Sequence, residues 1–130
     1  MMKRFLLGCV ALLLLVPLYY VAQSRLQERN FQLTLNRYSH LLKPGTSRKH
    51  VEEILRSRGV VFERCCIDAA SAYTDLVTLG WEDTPWYCDR HLVYVAIEFA
   101  ATEGPHPIDT VLDSDALKTI KLTRREAGCL

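Results

Sequence analysis

From Phe5 to Ala22 the chain carries no charged residue, and apolar side chains fill most positions (FLLGCVALLLLVPLYYVA). Eighteen residues of helix reach about 27 Å, on the boundary between the core of a cleavable signal and a spanning helix. Tyr19 and Tyr20 at the far end suit an interfacial belt better than a processing site. The stretch 1–24 therefore reads as an uncleaved membrane anchor that crosses with residues 5–22. Lys3 and Arg4 put the N-terminus on the cytoplasmic side, although Arg25 and Arg29 flank the other end and weaken that bias. Cleavage after Ser24 would instead release a secreted domain that begins at Arg25. Leu6-Leu7-Gly8-Cys9 is similar to a lipoprotein box but comes too early, so Cys9 reads as a membrane-buried thiol.

Between Gln23 and Lys43 the period changes. Phe31, Leu35, Tyr38 and Leu42 recur at helical spacing and predict an amphipathic helix with a core-facing stripe. Pro44-Gly45 ends it. Ser47, or Thr46, is then placed to cap a second helix with its side-chain oxygen. Val51, Ile54 and Leu55 form the apolar face of that helix, and Glu52 and Glu53 precede Arg56 and Arg58 as the helix dipole favours. Gly59 supplies the stop.

Beyond Gly59 the period is two. Val60–Cys66 is extended. Tyr73–Trp81 places Tyr73, Asp75, Val77, Leu79 and Trp81 on one face. His91–Ala100 alternates most clearly, with Val93, Val95, Ile97 and Phe99 on one face, and Leu117–Arg124 carries Ile120 and Leu122. Loops fall at Gly104-Pro105-His106-Pro107 and Asp113-Ser114-Asp115. The economical architecture for residues 25–130 is α+β in two layers: two helices on one face of a three-stranded antiparallel meander, with a fourth strand available from Val60–Cys66.

Composition changes this picture little. A formal charge of +1 over 130 residues gives no reason to expect a nucleic-acid partner. Residues 25–64 hold nine Arg or Lys against four Glu, and residues 65–130 hold five basic against eleven acidic side chains. Two solvated faces account for that split; a headgroup-binding cluster would be denser.

Four cysteines lie outside the apolar run: Cys65, Cys66, Cys88 and Cys129. In the meander, Cys88 just before one strand and Cys129 just after its neighbour share an end of the sheet, so they are expected to form a disulfide. That bond would imply an oxidising compartment. Cys65 and Cys66 fall at the other end and read as two thiols, with a vicinal redox pair as the sharper alternative. A zinc site from Cys88, His91, Cys65 and Cys66 is the rival reading, and vicinal cysteines chelate poorly. The expectation is no metal and no cofactor.

Catalytic signatures are absent from the sequence: no nucleophile elbow, no Cys-x-x-Cys, no His-Glu-x-x-His and no phosphate-binding glycine loop. His40, His50, His91 and His106 stand apart. Trp81, Trp86 and Tyr87 read as the hydrophobic end of the sheet, and acidic Glu82, Asp83 and Asp89 among them argue against stacking on nucleic acid.

The run Leu42-Lys-Pro-Gly-Thr-Ser-Arg-Lys-His-Val51, with Leu55, resembles the glycine-turn, valine and leucine signature of the small outer-membrane-assembly lipoproteins (SmpA/OmlA, BamE-like). The β-lactamase-inhibitor-protein folds look similar at the same turn. The resemblance implies two helices packed on an antiparallel meander outside the cytoplasm. Gly45, Ser47 and Val51 correspond to turn glycine, helix cap and core valine, which are structural positions that carry no activity.

The sequence thus leads to a non-enzymatic, membrane-anchored extracytoplasmic module that binds a protein partner or supports an envelope complex. Its domain would lie on the periplasmic side of a bacterial-type inner membrane. The alternatives are a thiol-based redox enzyme or sensor using Cys65 and Cys66, and a secreted inhibitor-like binding domain.

Overall fold

In a computed structural model of the chain, the structure describes the backbone of residues 2–67, 73–82, 90–102, 104 and 112–127, and the side chains of these except residues 2–12, 66, 67, 90 and 127. Two helices, α1 (Met2–Leu41) and α2 (Arg48–Ser57), precede four strands, β1 (Glu63–Ile67), β2 (Tyr73–Glu82), β3 (Arg90–Ala100) and β4 (Ala116–Ala127). The strands pair antiparallel in chain order, β1-β2-β3-β4. The class is α+β, a four-stranded meander with helices on it, as the alternating runs predict.

The apolar run and the amphipathic stripe form one helix. α1 runs for 40 residues with Pro17 inside it, where the sequence divides into an anchor and a separate helix from Gln23. Its two halves meet different surroundings. Every large apolar side chain from Leu13 to Val21 is exposed, from 46 % at Tyr20 to 74 % at Leu13. From Phe31 onward the inward positions pack on the core: Phe31 and Leu42 are buried, and Leu35, Tyr38 and Leu41 partly so.

The core lies between the helices and one face of the sheet. Leu42, Val51 and Leu55 from the helical side meet Val77, Val95, Ile97 and Phe99, with Ile120 and Leu122 of β4 at the margin. These are the strand faces that the period-two pattern selects. One position departs from it. A bulge between Thr78 and Gly80 inserts Leu79, so that Gly80 pairs with Val93 and Trp81 with Leu92. An extra residue reverses the side of everything after it, and Trp81 falls on the face opposite Tyr73, Asp75 and Val77. A second bulge, between Glu98 and Phe99, sets Phe99 against Leu117 at the start of β4.

The turn at Pro44-Gly45 docks on the start of β4. Gly45 N–H donates to Leu117 O (2.7 Å), and Leu117 N–H donates to Thr46 O (2.8 Å). Gly45 holds φ +84°, a left-handed conformation that side chains disfavour. The α2 N-terminus is satisfied by backbone: Arg48 N–H donates to Asp115 O (2.7 Å) and Lys49 N–H to Asp113 O (3.1 Å). Ser47 is the N-cap by position but makes no side-chain cap hydrogen bond, because carbonyls of the 112–115 turn already occupy first-turn donors. At the other end Gly59, at φ +68°, ends α2 as predicted. Gly59 N–H reaches Arg56 O and Val60 N–H reaches Leu55 O.

Candidate functional site

The densest chemistry among the described residues is a buried ion cluster between α2 and the sheet. Arg48 and Glu52, one turn apart on α2, flank the Val51–Leu55 face and are as buried as it is. Asp75 stands on the core face of β2 between Tyr73 and Val77. The Arg48 guanidinium pairs with the Asp75 carboxylate, and neither side chain has exposed surface. Arg48 Nε also lies 3.4 Å from Glu52 Oε1, and its guanidinium carbon sits 4.9 Å from the centre of the Phe99 ring. Arg64 of β1 grips Glu52 through two bonds of 2.7 Å each, and Arg56 donates to it at 2.6 Å. Arg64 reaches toward Asp113 at 3.9 Å.

Two carboxylates here respond oppositely to the same burial. Burial pushes Asp75 up from 3.8 to about 6, against the attraction of Arg48. One of its oxygens, Oδ2, has no hydrogen-bond partner, which favours the neutral acid in a low-dielectric site. Burial also pushes Glu52 upward, but the Arg64 hydrogen bonds and the charges of Arg64, Arg56 and Arg48 outweigh it and hold Glu52 below its ordinary value. Its members are two carboxylates and three guanidinium groups, with no histidine, hydroxyl or thiol among them. It clamps α2 to β1 and β2.

A second ion network fastens α1. Arg124 of β4 pairs with Glu28 of α1 and donates to Glu82 of β2 at 3.0 Å through Nε. Beside it, Gln27 donates to the carbonyl of Trp81 (2.8 Å). On the face turned away from the helices, Glu98 pairs with Lys121. There Arg125 stacks over Tyr94 at 5.6 Å and reaches Cys65 Sγ at 3.1 Å. A flat sheet would hold its two edges about 14 Å apart. Contact between β1 and β4 therefore requires the sheet to curl toward that face.

The residues singled out in the sequence are spread through the fold. Gly45 and Ser47 form the turn on β4, and Val51 is fully buried in the core. Cys65 on β1 is disulfide-bonded, so it is not one of two free thiols; its partner lies outside the described side chains. So does the Cys66 side chain, and Cys88 and Cys129 lie outside the described residues, so their expected pairing does too. Among the described residues no group of three His, Cys, Asp or Glu side chains is arranged to hold a metal ion. His91, the second residue of β3, pairs with Glu126 of β4.

Sequence reasoning missed the Arg48–Glu52–Asp75 cluster. The signal was present: an aspartate within an apolar strand face, and an Arg-Glu pair four residues apart beside a valine-leucine stripe.

Among the described residues no helix is long and apolar enough to cross a membrane. The side chains of residues 2–12, which carry the first part of the Phe5–Ala22 run, lie outside that description. Comparison of the chain with protein-family models, with curated proteins and with solved structures finds no match.

Proposed function

We propose that the protein is a membrane-anchored, non-enzymatic interaction module whose α+β domain works outside the cytoplasm. The observation that carries this reading is the division of α1. One helix is exposed and apolar from Leu13 to Val21, then amphipathic and packed on the sheet from Phe31. Exposed apolar surface of that length needs a non-aqueous partner, and the uncharged run from Phe5 matches the thickness of a bilayer core. The disulfide at Cys65 supports an oxidising compartment, which agrees with the orientation that Lys3 and Arg4 favour. The two ion networks act as clamps, which suits a domain that presents a fixed surface to a partner. The resemblance to the outer-membrane-assembly lipoproteins supports the same compartment.

The test is fractionation followed by crosslinking in intact bacterial cells. The full chain should remain in membranes after alkaline carbonate washing, and a C-terminal tag should be digested by protease added to spheroplasts. Release by carbonate, or a protected tag, overturns the anchored reading. Photo-crosslinkers on exposed positions of the domain should then yield a reproducible envelope protein; a solitary protein at every position removes the partner.

A further inference from the structure

The sheet is held to α1 at a defined level. The helix meets one end of the sheet through Gln27 and Glu28, which bind the Trp81 carbonyl and Arg124. It meets the other end through Leu42, next to the turn that docks on Leu117. The strands therefore run alongside α1, and the end formed by the close of β2, the start of β3 and the close of β4 points back toward the apolar half of the helix. Because α1 has no break between Ala22 and Gln27, helix rise sets the distance. Five residues lift the Gln27 level about 7.5 Å beyond the last residue of the uncharged run. The headgroup zone on each side of a bilayer is about 5–7.5 Å thick, so the Gln27 level stands at its outer edge, within reach of a large side chain.

At that level stands Trp81, exposed to 49 %. The bulge at Leu79 has turned it off the core face. A large aromatic left half in water by a backbone irregularity costs burial that an unbulged strand would keep. On α1 at the same level, Arg25 and Arg29 are exposed, and among the described residues no carboxylate pairs with either, whereas Glu28 and Glu82 are both taken up by Arg124. Tryptophan prefers the interface between hydrocarbon and water, and exposed arginines at that level favour phosphate oxygens.

We infer that this end of the domain is a lipid-contact surface: Trp81 of the sheet seats among the headgroups of the bilayer that α1 enters, and Arg25 and Arg29 of α1 bind headgroup phosphates at the same level. This rests on the anchored reading above. The partner is phospholipid, and the contact fixes how the domain stands on the membrane. Asp83 and Asp89 follow in the sequence between β2 and β3, so the aromatic contact is the principal one.

The test is depth-dependent quenching of tryptophan in the full chain, reconstituted in vesicles of phosphatidylethanolamine and phosphatidylglycerol. A Trp86→Phe variant leaves Trp81 as the emitter. Its emission should be blue-shifted, and lost to a lipid nitroxide near the headgroup more than to one deep in the acyl chain. If Trp86→Phe does not fold, the difference between wild type and Trp81→Phe reports the same residue. Flotation of the same vesicles after carbonate washing is the second readout. Protein that floats but shows a Trp81 red-emitting and unquenched overturns the lipid-contact surface and leaves the anchor intact. Protein that fails to float overturns both.

Discussion

Arg48, the first residue of α2, and Asp75, the third residue of β2, form an ion pair with no exposed surface on either side chain. This pair joins the helical layer to the sheet at the end farthest from the exposed half of α1. Breaking one partner of a buried pair costs more than the pair is worth, because the remaining charge stays in a low-dielectric site.

Replacement of Arg48 by Met is expected to destabilise the fold by about 3 kcal/mol at pH 7, since it strips Asp75 of its main counter-charge. The cost should shrink at pH 5, where Asp75 takes up a proton. Urea unfolding of the full chain in detergent micelles at the two pH values measures both quantities. An equal cost at both would mean that Asp75 does not titrate in this range.

The pH profile of the wild type follows from the sign of the Asp75 shift. Its folded value is raised to about 6 from 3.8, so the folded state binds the proton more tightly than the unfolded chain. Its contribution to stability is complete below about pH 4 and lost as pH rises through about 6. Glu52, held low, acts in the opposite sense and loses its contribution as pH falls. In Asp75→Asn the loss between pH 4 and pH 6 should vanish. Unfolding midpoints taken across that range decide; an unchanged slope assigns it to other groups.

Gly45 offers a backbone test free of steric interference. It sits at φ +84° with open space where a Cβ would stand. Gly45→Ala should therefore cost about 1–2 kcal/mol from the left-handed backbone alone. The measured shift in thermal midpoint should match that of Gly59→Ala, where φ is +68° and the space is again open. A much larger loss at Gly45 would show that docking on Leu117 fails as well.

The elements were legible because each rests on a local pattern: the stripe from Phe31 to Leu42, the Gly59 stop, the alternation of β3. What escaped is non-local. Ser47 looked like a side-chain cap, but first-turn donors of α2 are taken by carbonyls more than sixty residues away. Trp81 looked core-facing until one inserted residue turned it over. Arg48 and Glu52 read as solvated charges because their partners, Asp75 and Arg64, belong to other elements. The union of the apolar run with the amphipathic helix was hidden by the change of pattern at Gln23, which alters what the helix faces without breaking its backbone.

Arg124 is the counterpart of Arg48 at the other end of the molecule, and it should behave differently. Its side chain and that of Glu28 are both more than a third exposed, so screening by solvent limits each pair to about 1 kcal/mol or less. Arg124→Gln is expected to leave the global unfolding midpoint nearly unchanged while raising amide hydrogen exchange around Gln27 and Trp81. Added salt should reproduce the effect in the wild type. Slow exchange in the variant would mean that apolar packing at Phe31 alone holds α1 in place.

Cys65 gives the most decisive chemical prediction, because one bond constrains all four cysteines outside the apolar run. Cys65 is disulfide-bonded, so Cys65→Ser should lower stability under oxidising conditions and not after reduction, by about 2–4 kcal/mol if the partner is distant and about 1 kcal/mol if it is Cys66. Peptide mapping without reduction then names the partner. If Cys65 is joined to Cys66, the pairing of Cys88 with Cys129 stays open and the C-terminus can be tied to the start of β3. If Cys65 is joined to Cys88 or to Cys129, that pairing is excluded, and β1 is stapled to whichever segment carries the partner. A free Cys65 thiol in protein exported by intact cells would contradict the bond itself and remove the disulfide as support for an oxidising compartment.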